Sequence, residues 1–345
     1  MIPWKKLLNA SFLAFIFILT VYAVFRGEDF GELLGYIADA NPAYIGTGVV
    51  CVVLFILGES VVIHYLLRVL SVRVRFSHCC LYSFIGFFYS CITPSASGGQ
   101  PMQAVAMRKD KIPLAISTVV LAIVTITYKL VLVVIGLTIM IVRPESIMRY
   151  LDGVESVMYL GTALNVGCIA LLMLLVFKPG ILRILVEKTL HFLRRFRPFK
   201  KLKDYTGKLN RMIEQYEGAA EFYGTHKHVI VHVFLITLAQ RVILFLVAWL
   251  TYRAFSLGGH TLALITSLQA MISVAADMLP LPGGMGVSET LFLQIFEPIF
   301  GEELILPGMV ICRGISYYTQ LLLSAVMTLA SAFIITNERK GSKSL

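Results

Sequence analysis

Apolar residues run through this chain in long blocks separated by short polar and charged patches. Six blocks are long enough to cross a bilayer: residues 7–25, 44–67, 113–142, 157–177, 229–252 and 305–335. A membrane helix needs about 20 mostly apolar residues. Two further apolar segments, 77–107 and 262–296, are interrupted by proline and glycine. The first break reads Thr93-Pro94-Ser95-Ala96-Ser97-Gly98-Gly99-Gln100-Pro101, and the second reads Leu279-Pro280-Leu281-Pro282-Gly283-Gly284-Met285-Gly286. A short, mostly apolar helical pattern follows each. Backbone polar groups in hydrocarbon must find partners, so irregular backbone at that depth survives only when buried in protein or lining a wet cavity. Paired breaks in two halves of a chain point to the central site of a transporter.

Composition agrees with the pattern. The chain is 58% hydrophobic and 14% charged, with a mean hydropathy of +0.82; soluble domains carry about 25% charged residues. The expected fold class is an all-α polytopic membrane protein with about six full spans and two re-entrant broken-helix hairpins. The first apolar run follows Lys5 and Lys6 like a signal peptide. It is long for one and has no clear small-residue cleavage site, so it is expected to stay as the first helix.

Charge sets the expected orientation. If each broken segment enters and leaves on the same side, Lys5, Lys6, Arg68, Arg73, Arg75, Arg108, Lys109 and Lys111 fall inside. So do the basic residues between Lys178 and Lys227, and Arg339, Lys340 and Lys343. Only Arg26, Arg143, Arg149 and Arg253 fall outside, in keeping with the positive-inside rule. The expectation is a cell (cytoplasmic) membrane protein with both termini cytoplasmic. The order span, span, hairpin, long span then occurs twice, once starting inside and once outside. That is an inverted-topology repeat. It divides the chain into residues 1–142, with hairpin 77–107, and residues 143–345, with a basic linker at 178–227 and hairpin 262–296.

Lys129, Arg241 and Arg313 are the basic residues left at membrane depth, and Glu59, Asp277 and Glu289 are the acids there. A charge at the bilayer centre costs at least about 2.5–3.5 kcal/mol. Six of them imply either ion pairs that fasten helices together or a wet cavity with charged walls. Ser97 or Gly98 is placed to cap a half-helix beginning near Gln100, with Pro101 in its first turn. Such an N-terminus attracts anions through its free N–H groups and its dipole. Gly98, Gly99, Gly283, Gly284 and Gly286 permit close approach, either of a ligand or of another helix. A cavity with helix N-termini and three basic residues suits a phosphate, and the three acids suit a cationic group. A zwitterionic or aminoacylated phospholipid headgroup carries both.

Residues 178–211 hold a basic cluster that interleaves with aromatics at Arg194-Arg195-Phe196-Arg197-Pro198-Phe199-Lys200-Lys201. Between membrane spans, the expected partner is an anionic lipid surface, at about 1 kcal/mol per basic residue, rather than nucleic acid. Residues 205–223 read as a polar helix leading into the fifth span. No phosphate-binding Gly-x-x-x-x-Gly-Lys-[Ser/Thr] motif occurs, so no ATP motor is expected, and no cofactor or metal is called for. His226, His228 and His232 read as interfacial histidines before a metal site. The cysteines (Cys51, Cys79, Cys80, Cys91, Cys168 and Cys312) form no Cys-x-x-Cys pair and read as small membrane-helix residues.

The two broken motifs, the second extended to Val287-Ser288-Glu289, resemble the hallmark segments of the lysylphosphatidylglycerol synthase transmembrane-region family. The resemblance covers nearly the whole chain. The family includes the flippase domain of the multiple peptide resistance factor, which is implied to move aminoacylated phosphatidylglycerol from the inner to the outer leaflet. The resemblance implies roles for Gly283, Gly284 and Glu289 in the second hairpin, and for Arg313 in the span after it. In two-part members a soluble aminoacyl-transferase domain follows the membrane region. No such domain follows the last span here, so transport without lipid synthesis is expected, and stand-alone members extend the substrate range to glycolipids and polyprenyl-linked carriers.

The expected function is therefore a lipid flippase or transporter without an ATPase. The substrate-binding residues would be Glu59, Ser97, Gly98, Gly99, Lys129, Arg241, Asp277, Gly283, Gly284, Glu289 and Arg313. The alternatives are an integral-membrane lipid hydrolase using Asp277 or Glu289 as acid/base, a scaffold for a separate lipid synthase, and a small-solute transporter. A homo-oligomer or a separate synthase would be the protein partner.

Overall fold

A computed structural model of the chain describes residues 30–178, 206–279 and 281–341. The predicted first span at 7–25 and most of the basic linker lie outside the described residues. Helices α1 (Phe30–Asp39), α2 (Pro42–Val69), α3 (Phe76–Cys91), α4 (Gly99–Lys109), α5 (Leu114–Val142), α6 (Glu145–Leu151) and α7 (Glu155–Phe177) make the first part. Helices α8 (Thr206–Thr225), α9 (Lys227–Ala254), α10 (Leu262–Ala276), α11 (Val287–Phe300), α12 (Ile305–Arg313) and α13 (Gln320–Gly341) make the rest. No strand occurs among the described residues. The protein is an all-α, multi-pass membrane protein. Among the described residues five helical stretches are long and apolar enough to cross a bilayer: α2, α5, α7, α9 and Ile305–Ser331.

Local chemistry fixes the helix ends. Asn41 caps α2 by accepting from the Ala43 N–H at 3.0 Å, and Pro42 occupies the first helical position, where its missing N–H is harmless. Thr261 caps α10 through the Leu264 N–H at 3.3 Å. The two breaks are short 3₁₀ turns, Pro94–Ala96 and Pro282–Gly284. Both arms of each broken helix return to one place. Asp110, just past α4, accepts from Tyr82 and lies 2.8 Å from His78 Nδ1, both on α3. His260, just before α10, and Phe300, the last residue of α11, both pack on the Tyr252 ring, with centroids 6.1 and 5.6 Å away.

Small residues set the crossings. A Cβ on Gly58 of α2 would sit 2.8 Å from the Gln240 side chain of α9, and Gln240 Nε2 donates to the Phe55 carbonyl at 2.8 Å. Where α7 meets α10, a Cβ on Gly161 would lie 2.6 Å from Ala275 Cα and from the Val274 carbonyl oxygen. Membrane helices associate through such close backbone contact because lipid is as apolar as their side chains. One buried cluster gathers Phe55, Met271, Phe292, Phe296 and Phe300, and a second gathers Leu66, Leu67, Val119, Val120 and Val229. Each draws on both halves of the sequence.

The polar helix expected at 205–223 is α8. Its buried residues Tyr216 and Tyr223 donate to the Leu175 and Leu66 carbonyls at 3.2 and 2.8 Å. Those acceptors lie in the last turns of α7 and α2; the Leu66 carbonyl also accepts from the Leu70 N–H at 3.3 Å. The described end of the linker is thus docked on the bundle.

The Gly161 crossing makes a direct test. Gly161→Ala forces backbone apart and should destabilise the protein by about 1–3 kcal/mol, seen as a lower thermal midpoint in detergent. Gly167→Ala, on the same helix with open space around it, should leave that midpoint unchanged or slightly raised.

Candidate functional site

The two breaks touch. Ser95 Oγ donates to the Leu279 carbonyl at 3.3 Å, and beside this contact opens a cavity of about 450 Å³. Its wall includes residues of α2, α3, α4, α5, α9, α10 and α12 and of both breaks. Seven of the residues expected at the site line it: Glu59, Lys129, Arg241, Asp277, Gly283, Gly284 and Arg313. Glu289 stands one hydrogen bond behind Arg313.

Ser97, Gly98 and Gly99 are not on that wall. Ser97 is exposed. Gly98 caps α4 with its backbone, and its N–H donates to Thr93 Oγ1 at 2.9 Å. Gly99 is buried against Ser90 and the Gly86 carbonyl, leaving no room for a Cβ. Close packing of α3 on α4 accounts for this glycine pair.

At the second break the glycines are conformational. Gly283, Gly284 and Gly286 have φ of 58°, 66° and 84°, a left-handed region that glycine enters without penalty. A Cβ on Gly283 would also strike the Tyr317 ring. Glu289, in the first turn of α11, binds two groups. Its Oε2 accepts from the Gly286 N–H at 2.7 Å, and its Oε1 accepts from Arg313 Nε at 2.7 Å. Arg313 also donates to the Gly283 carbonyl at 3.0 Å and lies 4.8 Å from the centre of the Tyr317 ring. Tyr317 in turn donates to the Cys91 carbonyl at the end of α3, at 2.9 Å. The chain Glu289–Arg313–Tyr317 therefore fastens the second break to the first. Arg313 ends α12, and a six-residue π-helical turn, Gly314–Thr319, separates it from α13. Such turns reset the side-chain register within a span.

Lys129 and Asp277 form the other pair. Their Nζ–Oδ2 distance is 2.6 Å, and both side chains are largely buried. Asn165 on α7 stands 3.5 Å from the same Nζ and donates to the Gly161 and Val274 carbonyls at 2.9 and 3.3 Å. This pair joins α5 to the residue that ends α10. Glu59 Oε1 accepts from Gln103 Nε2 at 2.5 Å. Arg241 is 4% exposed and lies against aromatic faces, 4.1 Å from the centre of the Tyr128 ring and 5.1 Å from that of Phe245. Four of the six charges pair, and the pairs stand at the cavity.

Sequence reasoning overlooked several cavity residues: Gln103, Tyr128, Gln269 and Tyr317. Their signal was present. An amide at membrane depth needs partners as a charge does, and Gln103 and Gln269 each interrupt an apolar stretch. Nothing in the sequence distinguished Tyr128 or Tyr317 from other span aromatics. His226, His228 and His232 form a chain of edge contacts, with His232 Nδ1 3.0 Å from the Tyr65 hydroxyl. Among the described residues no group of three or more His, Cys, Asp or Glu is placed to hold a metal ion.

Residues 9–324 match the family model described as Lysylphosphatidylglycerol synthase TM region. No curated protein matches the chain.

The Lys129–Asp277 pair predicts a non-additive response. Lys129→Met alone leaves a buried carboxylate uncompensated and should cost about 3–5 kcal/mol, whereas the Lys129→Met, Asp277→Leu double variant should recover most of that loss. Thermal unfolding of the three proteins in one detergent reads the difference.

Proposed function

This chain belongs to the lysylphosphatidylglycerol synthase TM region family, and we propose that it is a lipid flippase. The family makes it a membrane protein related to lipid metabolism or transport. The finer reading is movement of a phospholipid, phosphatidylglycerol or its aminoacyl ester, between leaflets. The headgroup would pass through the cavity between the two breaks while the acyl chains stay in lipid.

The observation that carries this reading is the cavity itself. It has charged and amide walls inside a bundle whose outer faces expose Leu171, Leu235, Leu322 and Val326. Ionisable groups at membrane depth are expensive and mark the pathways of polar ligands. The meeting of both arms of each broken helix supports re-entrant hairpins, and the element order supports an inverted repeat with the hairpins entering from opposite faces. With basic residues inside, the chain would sit in the cell membrane with cytoplasmic termini, and the basic linker would lie on anionic lipid. Transport is favoured over hydrolysis because Asp277 and Glu289 are each engaged by a cation, whereas a general base needs a carboxylate free to take a proton.

Purified protein in liposomes should accelerate leaflet exchange of fluorescent and aminoacylated phosphatidylglycerol, with the recovered lipid unchanged by mass spectrometry. Altered lipid without exchange would replace transport with catalysis. Glu289→Gln and Arg313→Ala should slow exchange by about tenfold or more, the worth of one charge-assisted hydrogen bond. Circular dichroism of both variants checks that they fold.

A further inference from the structure

The six membrane charges divide into two kinds. Lys129 with Asp277, and Arg313 with Glu289, are closed ion pairs. Glu59 and Arg241 enter none of the ion pairs between described residues. Glu59 has the Gln103 amide. Arg241 is 4% exposed, and its Nε has no hydrogen-bond partner among the described residues. The rings of Tyr128, Phe245 and Phe55 surround its guanidinium, with centres 4.1, 5.1 and 5.9 Å away. Stacking of this kind contributes about 2 kcal/mol when desolvated, while taking an ion out of water costs several. A buried N–H without a protein partner calls for an explanation, and an anion-binding role is one.

The surroundings define the ligand. Arg241 lines the cavity, next in sequence to Gln240, whose side chain packs on Gly58. Glu59, next to Gly58, lines the same cavity. Gln269, also on the wall, holds a buried Oε1 without a partner among the described residues. Arg241 and Gln269 thus line one chamber, and each carries a buried polar atom, Nε and Oε1, without a partner among the described residues. A guanidinium fork matches two phosphate oxygens at once, and an amide oxygen accepts from a hydroxyl. One guanidinium, with the Glu59 carboxylate on the same wall, suits the one negative charge of a phosphodiester better than the double charge of a monoester.

We infer that Arg241 receives the phosphodiester of the lipid headgroup, with Gln269 accepting from a headgroup hydroxyl, and that Lys129 and Arg313 instead hold the two breaks in place. This assignment rests on the transport reading for its lipid and narrows the three expected phosphate ligands to one.

The test is lipid retention by purified protein, read by native mass spectrometry. The probes are phosphatidylglycerol, phosphatidic acid and a monoglucosyl diacylglycerol with matched acyl chains. Wild type should retain phosphatidylglycerol over the uncharged glycolipid. Arg241→Gln should lower phosphatidylglycerol retention about tenfold and leave the glycolipid unchanged. Arg241→Lys, which keeps charge and loses the fork, should fall between them and serves if the glutamine variant does not fold. The Lys129→Met, Asp277→Leu double variant should keep the wild-type preference. Full retention in both Arg241 variants, or no preference in wild type, overturns the assignment. Stronger retention of phosphatidic acid than of phosphatidylglycerol overturns the diester. Retention that depends on Arg241 without leaflet exchange in liposomes overturns transport and leaves the anion site standing. Exchange that Arg241→Gln does not slow, with retention unchanged, does the reverse.

Discussion

Every polar group that this fold places at membrane depth needs a partner, and that constraint organises the molecule. A helix meets it for its own backbone, but a broken helix does not. At the second break the freed groups are met by two side chains. Glu289 takes the Gly286 N–H and Arg313 takes the Gly283 carbonyl, while the two neutralise each other. At the first break Thr93 takes the Gly98 N–H, and Tyr317 takes the Cys91 carbonyl. The irregular backbone needed for a polar chamber is therefore held by side chains from the neighbouring spans.

The same accounting separates support from function. A closed ion pair in low dielectric is neutral outside and adds rigidity more than net stability. Lys129–Asp277 and Glu289–Arg313 each join a break to a span, and they act there as fasteners. Arg241 has aromatic faces instead of a carboxylate, so its charge remains available to whatever enters the cavity. If Arg241 takes the ligand as inferred above, stability and affinity rest on different residues, and a variant can lose one while keeping the other.

Much of the architecture was legible because hydrophobic run length is a direct physical requirement of the bilayer. The expected spans at 44–67, 113–142, 157–177 and 229–252 correspond to α2, α5, α7 and α9 within a few residues. Pro and Gly marked both breaks because they remove donors and permit left-handed backbone. The last span was legible only as a length. Nothing in its composition announced the π-helical turn after Arg313. Pairing was illegible for a related reason. Lys129 and Asp277 are 148 residues apart, and any of three bases could have met any of three acids. The role of Gly98 and Gly99 was left open between ligand approach and packing, because a glycine looks the same in either. Only the position of Ser90 and Gly86 against Gly99 decides it.

The contact between the breaks also limits how the cavity can change shape. Ser95 and Ala96 hold φ of 50° and 53°, a left-handed conformation that costs a residue with a Cβ of order 1 kcal/mol or more. Glycine at either position would relieve that strain, so the turn is held by its surroundings, among them the bond from Ser95 to the Leu279 carbonyl. Tyr317 adds a second tie, to Cys91. Parting the breaks would break both bonds but release the strain at Ser95 and Ala96, which offsets part of the cost. Parting the breaks would therefore cost less than the two hydrogen bonds alone suggest.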